Sequence, residues 1–400
     1  MITRKEMRDL AEFESPRGCA VTFYYQPGPP PNQSHRQEAI LVKDLVRVAL
    51  HEAERPPQQW QKQPSPATSG GRNEHVRADL NRIIELAERL HGNAGKAKAV
   101  FADSSQGFWR EFDIPAWLDQ TRVMINRRFH LRPLAPLLEV NPRVCICVLD
   151  RSKARLFDYR DESCKEVIGF FNELPRVSES AGVGSYDAGH ISKRVSEAAK
   201  QHYKQVADTV LKFLERGGCE GLAVGIRDEN WTEFESVLHP YLKKNLIGRF
   251  HADPALATPQ QLKHSLESLL GAHELNRHHG LVRDVLAEAQ RKARGAVGLR
   301  RVLRSLETGE IQTLLLGEHF HAPGVECRYC GHVDMKLHAN CTVCSHPVTE
   351  VEDISDAILG AALRGGIEVV YIKGDAELEA AGHIAALLRF RADQRKAMAS

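Results

Sequence analysis

Four cysteines in two pairs stand in the stretch VECRYCGHVDMKLHANCTVCSHP, residues 325–347. Two residues separate Cys327 from Cys330 and two separate Cys341 from Cys344, so both thiolates of each tight turn can reach one tetrahedral ion. The ten residues between the pairs suffice for two short strands that bring the turns face to face. A bound metal supplies order that so small a segment cannot gain from a core of its own. Four thiolates also close the coordination sphere, which leaves no position open for metal-assisted hydrolysis. The spacing therefore predicts one structural zinc on Cys327, Cys330, Cys341 and Cys344. Disulfide pairing is the competing reading, and the scatter of the other cysteines and the lack of an export leader count against it. His332, His338 and His346 are expected at the surface.

Basic residues form the second candidate. The run Arg291–Arg304 (RKARGAVGLRRVLR) carries Arg291, Lys292, Arg294, Arg300, Arg301 and Arg304 and no acidic residue. Grouped cations neutralise nucleic-acid phosphates and release counterions, giving affinity without base readout. A solvated helix face is the alternative. His190, Lys193 and Arg194 sit where a long helix is expected to start, and exposed N–H groups and the helix dipole add to their positive charge. Ser185, Tyr186, Asp187 and His190 supply acid/base groups on a glycine-rich loop. Nucleophilic catalysis needs a base held by a third group, and polar residues on such a loop are ordinary. No catalytic residue is assigned.

These groups need scaffolds. At 400 residues the chain suits two or three domains. With 54 Lys+Arg against 52 Asp+Glu, any basic surface must be local. Aromatics at 6% argue against a base-stacking platform as the main binding device. The N-terminus lacks an apolar leader and no run of about 18 apolar residues occurs. Nine cysteines fit a reducing compartment, so a soluble cytoplasmic protein is expected.

In chain order, residues 18–25 read as a strand followed by a Pro/Gly turn, Gln26–Asn32. Amphipathic helical patterns cover Gln37–Glu54 and Glu74–His91, and the Pro/Gln-rich stretch near 54–74 between them reads as a disordered loop. With the strand Ala97–Ala102 these elements make up one N-terminal α/β domain, residues 1–138. The second domain, 139–272, opens on the apolar strand Val144–Asp150 and continues through strands at Ala154–Tyr159 and EVIGFF. A long helix from Ile191 stops at Gly217–Gly218. The strand Gly221–Ile226, a helix from Trp231 to Leu242 and the strand Leu246–Phe250 imply a mainly parallel sheet.

Thr258, Pro259 and Gln261 form a capping box opening a helix toward Arg294, with a break expected at Asn276–Gly280. A third domain, 273–400, holds a helix over GAVGLRRVLRSLETGE, the strand IQTLLL, the cysteine segment as an insertion, a helix at Ile354–Arg364, the strand IEVVYI and an edge strand GHIAALLRF. The fold class expected is α/β, three α/β domains, the last carrying an inserted zinc ribbon, 325–347, built on the four cysteines.

The third domain resembles the C-terminal domain of archaeal and eukaryotic peptide-chain release factors and their paralogue Pelota. The likeness rests on GLRRVLRSLETGEIQTLLL, CRYC…CTVC, LRGGIEVVYI and AGHIAALLRF, over roughly 110 residues. Residues 144–250 resemble the middle domain of that group more weakly, and the N-terminal third resembles bacterial homologues through Ala97–Ala102 and RFHLRPLAPLL. The whole is similar to the bacterial branch that includes Balon-type ribosome hibernation factors.

Release factors hydrolyse peptidyl-tRNA with a Gly-Gly-Gln tripeptide before the middle domain's long helix. Here that place holds AGVGSYDAGH, Ala181–His190, and the three Gly-Gly pairs of the chain are followed by Arg72, Cys219 and Ile367. The stop-codon motif Asn-Ile-Lys-Ser is also missing. The resemblance then implies a cytoplasmic ribosome-binding factor, in hibernation or rescue, touching rRNA in the A-site region without peptidyl-tRNA hydrolysis. It further implies a translational GTPase such as EF-Tu as a partner, a monomeric state and no membrane. A tRNA- or peptidyl-tRNA-directed hydrolase using a non-glutamine residue of the 181–190 loop is the alternative.

Overall fold

The computed structural model describes residues 2–26, 35–54, 66–89, 97–115, 121–138, 142–160, 163–171, 185–217, 219–327, 329–336 and 338–391, with the side chains of 35–39, 52–54, 66–73, 170–171 and 185–192 outside that description. Two compact units emerge, one of Met1–Glu139 with Val282–Ser400 and one of Val140–Leu281.

The N-terminal third opens on α1 (Arg4–Glu12), where Thr3 and Glu6 cap reciprocally: the Thr3 N–H reaches the Glu6 carboxylate at 2.7 Å and the Glu6 N–H reaches the Thr3 hydroxyl at 3.2 Å. Strand β1 (Ala20–Tyr25) is followed by α2 (His35–Glu54) and α3 (Pro66–Arg89), then β2 (Ala97–Asp103), β3 (Phe108–Ile114) and β4 (Arg122–Asn126). The sheet is antiparallel in the order β3-β2-β1-β4. Every residue of β1 is buried because both faces are covered. Val21 and Phe23 pack with Val42, Val46, Leu80 and Ile83 of the two helices. Tyr24, Ala99 and Phe101 face a second core that includes Ile358, Leu359 and Ala362 from the far end of the chain. Helix α3 begins at Pro66, earlier than Glu74, because proline suits a first helical position. The rest of the Pro/Gln-rich loop, residues 55–65, and most of the Gln26–Asn32 turn lie outside the described residues.

The second unit contains β5 (Val144–Leu149), β6 (Lys153–Arg160), β7 (Ser163–Phe171), α4 (Ser185–Gly217), β8 (Gly221–Gly225), α5 (Asp228–Val237), α6 (Pro240–Lys244) and β9 (Leu246–Phe250), and α7 (Pro259–Gln290) begins in it. The strand order is β7-β6-β5-β8-β9. β5 is buried along its whole length, with α4 and α5 packed on one face through Tyr203, Val206, Val210 and Phe234 and α7 on the other through Leu262 and Leu266. The sheet is mixed, not mainly parallel: β5, β8 and β9 are parallel, but β7, β6 and β5 are antiparallel. The turn between β5 and β6 is too short for the crossover a parallel pair requires. The helix expected over Trp231–Leu242 is two helices, because Pro240 disfavours an α conformation at His239 and withholds an N–H. Thr258 and Gln261 do cap α7 reciprocally. The break expected at Asn276–Gly280 is absent, since one interior glycine costs only about 1 kcal/mol.

The C-terminal third adds β10 (Gly295–Val297), α8 (Leu299–Glu307), β11 (Ile311–Gly317), β12 (Gly324–Cys327), β13 (Val333–Asp334), β14 (Val348–Val351), α9 (Ser355–Arg364), β15 (Glu368–Ile372), α10 (Ala376–Ala380) and β16 (Ile384–Leu388). The main sheet runs β10-β16-β11-β15. Residues 295–297 are therefore a strand and not the start of a helix. GHIAALLRF supplies an interior strand, where a buried row containing Ala385 and Ala386 fits between neighbours, and β10 takes the edge. The cysteine segment forms a separate antiparallel sheet, β13-β12-β14, inserted between β11 and α9.

Candidate metal centre and basic cleft

The sheet β13-β12-β14 presents two turns with the same hydrogen-bond pattern. The Cys327 N–H donates to the His332 carbonyl at 2.8 Å and the Gly331 N–H to the Cys327 carbonyl at 2.8 Å. In the second turn the Cys341 N–H donates to the His346 carbonyl at 2.7 Å and the Ser345 N–H to the Cys341 carbonyl at 2.9 Å. Gly331 and Ser345 both adopt left-handed backbone, φ +74° and +62°. The turns face each other so that all four Sγ atoms lie within 4.8 Å of one another. Cys327 and Cys344 are 3.4 Å apart and Cys330 and Cys341 3.6 Å. Those separations are too long for a disulfide, near 2 Å, and close to the edge of about 3.8 Å that a tetrahedron with zinc–sulfur bonds of about 2.3 Å requires.

The thiols differ in acidity. Burial raises the Cys341 thiol, but N–H groups of Cys344 and Val343 and the neighbouring thiols bring it down to about 7. Burial and the surrounding thiols push Cys330 up to about 12. Four thiolates this close need a cation before all can ionise. The four thiols form a complete tetrahedral donor set for one metal ion. Cys327 and Cys341 are buried and Cys330 is exposed. Of the histidines, His332 is tied to Glu307 of α8 at 3.5 Å and to the Thr342 hydroxyl at 3.1 Å. His346 stacks on Tyr329 with ring centroids 3.7 Å apart.

The six cations of the basic run part company. Arg291 and Arg294 share Glu288, at 3.9 and 3.7 Å. Arg301 reaches Glu310, whose side chain is 2% exposed, at 3.1 Å. Lys292 has left-handed backbone, φ +52°, and its carbonyl accepts from Arg391. Arg300 and Arg304, one turn apart on α8, are exposed. They line an open cleft of about 670 Å³ between α8 and the cysteine-bearing insertion, whose far wall is Asp334, Met335, Lys336 and His338. Lys336 escaped the sequence reading. It is the single Lys or Arg between the two cysteine pairs, which is the signal that marks it.

In the second unit, α4 starts at Ser185, so Ser185–His190 are helical and not loop. Gly189 sits inside this helix. The polar side chains of Ser185, Tyr186, Asp187 and His190 lie outside the described residues, as does the backbone of 181–184. Lys193 and Arg194 are exposed on the third turn of α4.

The chain is similar to several known proteins. The model of bacterial archaeo-eukaryotic release factor family 10 matches residues 130–268. Peptide chain release factor subunit 1 of Pyrococcus abyssi is 24% identical over 353 residues, covering 79% of this chain and 84% of that protein. The protein pelota homolog of Methanocaldococcus jannaschii is 21% identical over 253 residues, 62% of this chain and 61% of that one. Among solved structures, archaeal Pelota in a model of its ribosome-bound form with ABCE1 aligns over 75% of this chain and 79% of its own, at 17% identity and a TM-score of 0.39. The chain is release-factor/Pelota-like. Among the described residues no helix is long and apolar enough to cross a membrane.

Proposed function

We propose that this chain is a translation factor of the release-factor/Pelota type, occupying the A-site region of the ribosome without hydrolysing peptidyl-tRNA, and that it acts in ribosome hibernation or rescue. One combination carries the reading. The chain matches release factor subunit 1 along 84% of that protein's length, yet has AGVGSYDAGH where the hydrolytic Gly-Gly-Gln of that group is expected. Water positioned at the ester is worth a large rate factor, and no amide side chain stands between Ala181 and His190 to hold it.

In this reading the exposed Lys193 and Arg194, with His190, meet RNA from the second unit, and cations of the 291–304 run meet it from the first. Zinc on Cys327, Cys330, Cys341 and Cys344 is structural: it fixes the two turns and supplies no reaction step. The factor works in the cytoplasm as a monomer, delivered by a translational GTPase such as EF-Tu.

Sedimentation of cell lysate tests the proposal. The chain is expected to migrate with ribosomal particles, and its absence from every ribosomal fraction removes the reading.

A further inference from the structure

The cleft between α8 and the cysteine-bearing insertion brings together residues far apart in the chain. Arg300, Leu303 and Arg304 of α8 line one side, and Met335 and Lys336 of the insertion line the other. The two arginines are four residues apart and so project from one helix face about 6 Å from each other. Lys336 is exposed, and Met335 is 39% exposed. Two carboxylates also line the cleft, each beside a histidine: Glu307 lies 3.5 Å from His332 and Asp334 3.3 Å from His338. Three exposed cations, Arg300, Arg304 and Lys336, outnumber them along the lining. A volume of about 670 Å³ lies inside the range of about 300–1,000 Å³ typical of sites for nucleotide-sized ligands.

We propose that this cleft is a binding site for the sugar–phosphate backbone of single-stranded RNA, with Arg300, Arg304 and Lys336 on successive phosphates and Leu303 and Met335 against a ribose or base. The proposal deepens the ribosome-binding reading and rests on it for its biological setting. Guanidinium groups match phosphate oxygens in a two-pronged geometry, and the apolar Leu303 and Met335 suit the uncharged face of a nucleotide better than the flexible backbone of an acidic peptide. The metal centre enters indirectly. It holds one wall of the cleft, so Lys336 stands opposite α8 only while the insertion is folded.

Fluorescence anisotropy with a labelled short single-stranded RNA, and with an oligoglutamate peptide of equal length, tests this on the full chain. The native protein is expected to bind the RNA with strong salt dependence and the peptide far more weakly. Arg300→Ala/Arg304→Ala/Lys336→Ala, with zinc content and circular dichroism unchanged, is expected to weaken RNA binding at least tenfold. It should also flatten the log–log salt slope by about 2, three contacts at about 0.7 each for a single strand. Lys336→Ala alone is the second variant and should lose about 0.7 of that slope. Native protein that does not bind RNA, variants that bind it unchanged, or preferential capture of the peptide each overturn the proposal. Sedimentation of the native chain with ribosomes reports separately on the broader reading, which survives if the variants co-migrate undiminished.

Discussion

The Asp356 carboxylate lies 3.3 Å from Nδ1 of His130, although 226 positions (356 − 130) separate the two residues. The same carboxylate takes the backbone N–H groups of Leu131 and Arg132 at 2.7 and 2.9 Å. It thereby fastens the RFHLRPLAPLL segment to the start of α9. Around it, Phe129, Leu131 and Leu134 share a core with Ile358 and Leu359, so the N- and C-terminal thirds are joined by both a polar latch and apolar packing.

Asp356→Ala should strand two N–H groups and lower stability by about 2–3 kcal/mol, the scale of hydrogen bonds to a charged group. Burial raises the pKa of this carboxyl, but His130 and the N–H groups of Arg132 and Leu131 outweigh it and hold it below the ordinary Asp value. A depressed folded value means stabilisation that is complete above about pH 4 and fades as pH falls through the folded value. Urea unfolding of the native and variant chains at several pH values checks this. A difference that persists undiminished below about pH 3 contradicts the latch.

The metal centre predicts about one zinc per chain. Cys327→Ser or Cys344→Ser should lose the zinc and unfold the insertion, while the sheet β10-β16-β11-β15 keeps its own buried core. Elemental analysis of protein purified without chelator, with hydrogen exchange of both sheets, reads the two effects apart. Protein free of zinc ends the assignment.

Arg301 should behave unlike its neighbours. Its partner Glu310 is buried and also lies 3.3 Å from the Ser305 hydroxyl. Arg301→Ala removes the guanidinium 3.1 Å from a buried carboxylate and should cost about 3 kcal/mol. Arg300→Ala and Arg304→Ala, at exposed positions, should stay within about 0.5 kcal/mol of the native chain. Thermal unfolding of the three single variants provides the comparison, and equal effects would reject the division.

Peptidyl-tRNA on programmed ribosomes should remain intact at saturating protein over the time a release factor needs to clear it. His190→Ala/Lys193→Ala/Arg194→Ala is expected to weaken occupancy without changing any hydrolytic rate. An ester-cleavage assay on purified complexes decides. Turnover that vanishes on changing Ser185, Asp187 or His190 favours the hydrolase.

What the sequence determined by itself was what is encoded over a few residues. The cysteine spacing specified two turns with converging thiols. The Thr258–Gln261 box specified where α7 starts, and the unbroken apolar run Val144–Leu149 specified a strand buried on both faces. Each depends on contacts within a turn or on a short continuous apolar run, so a short window suffices. Tertiary structure decided the rest. Six cations that look alike in the sequence divide because Glu288 and the buried Glu310 claim three of them, while Lys336 is carried across from the insertion to face Arg300 and Arg304. β16 is interior because β10, about ninety positions earlier, pairs with it and takes the edge. Such pairings are chosen by the packing of whole elements, whose energy is spread over many distant contacts, and no local pattern of residues records which partner wins.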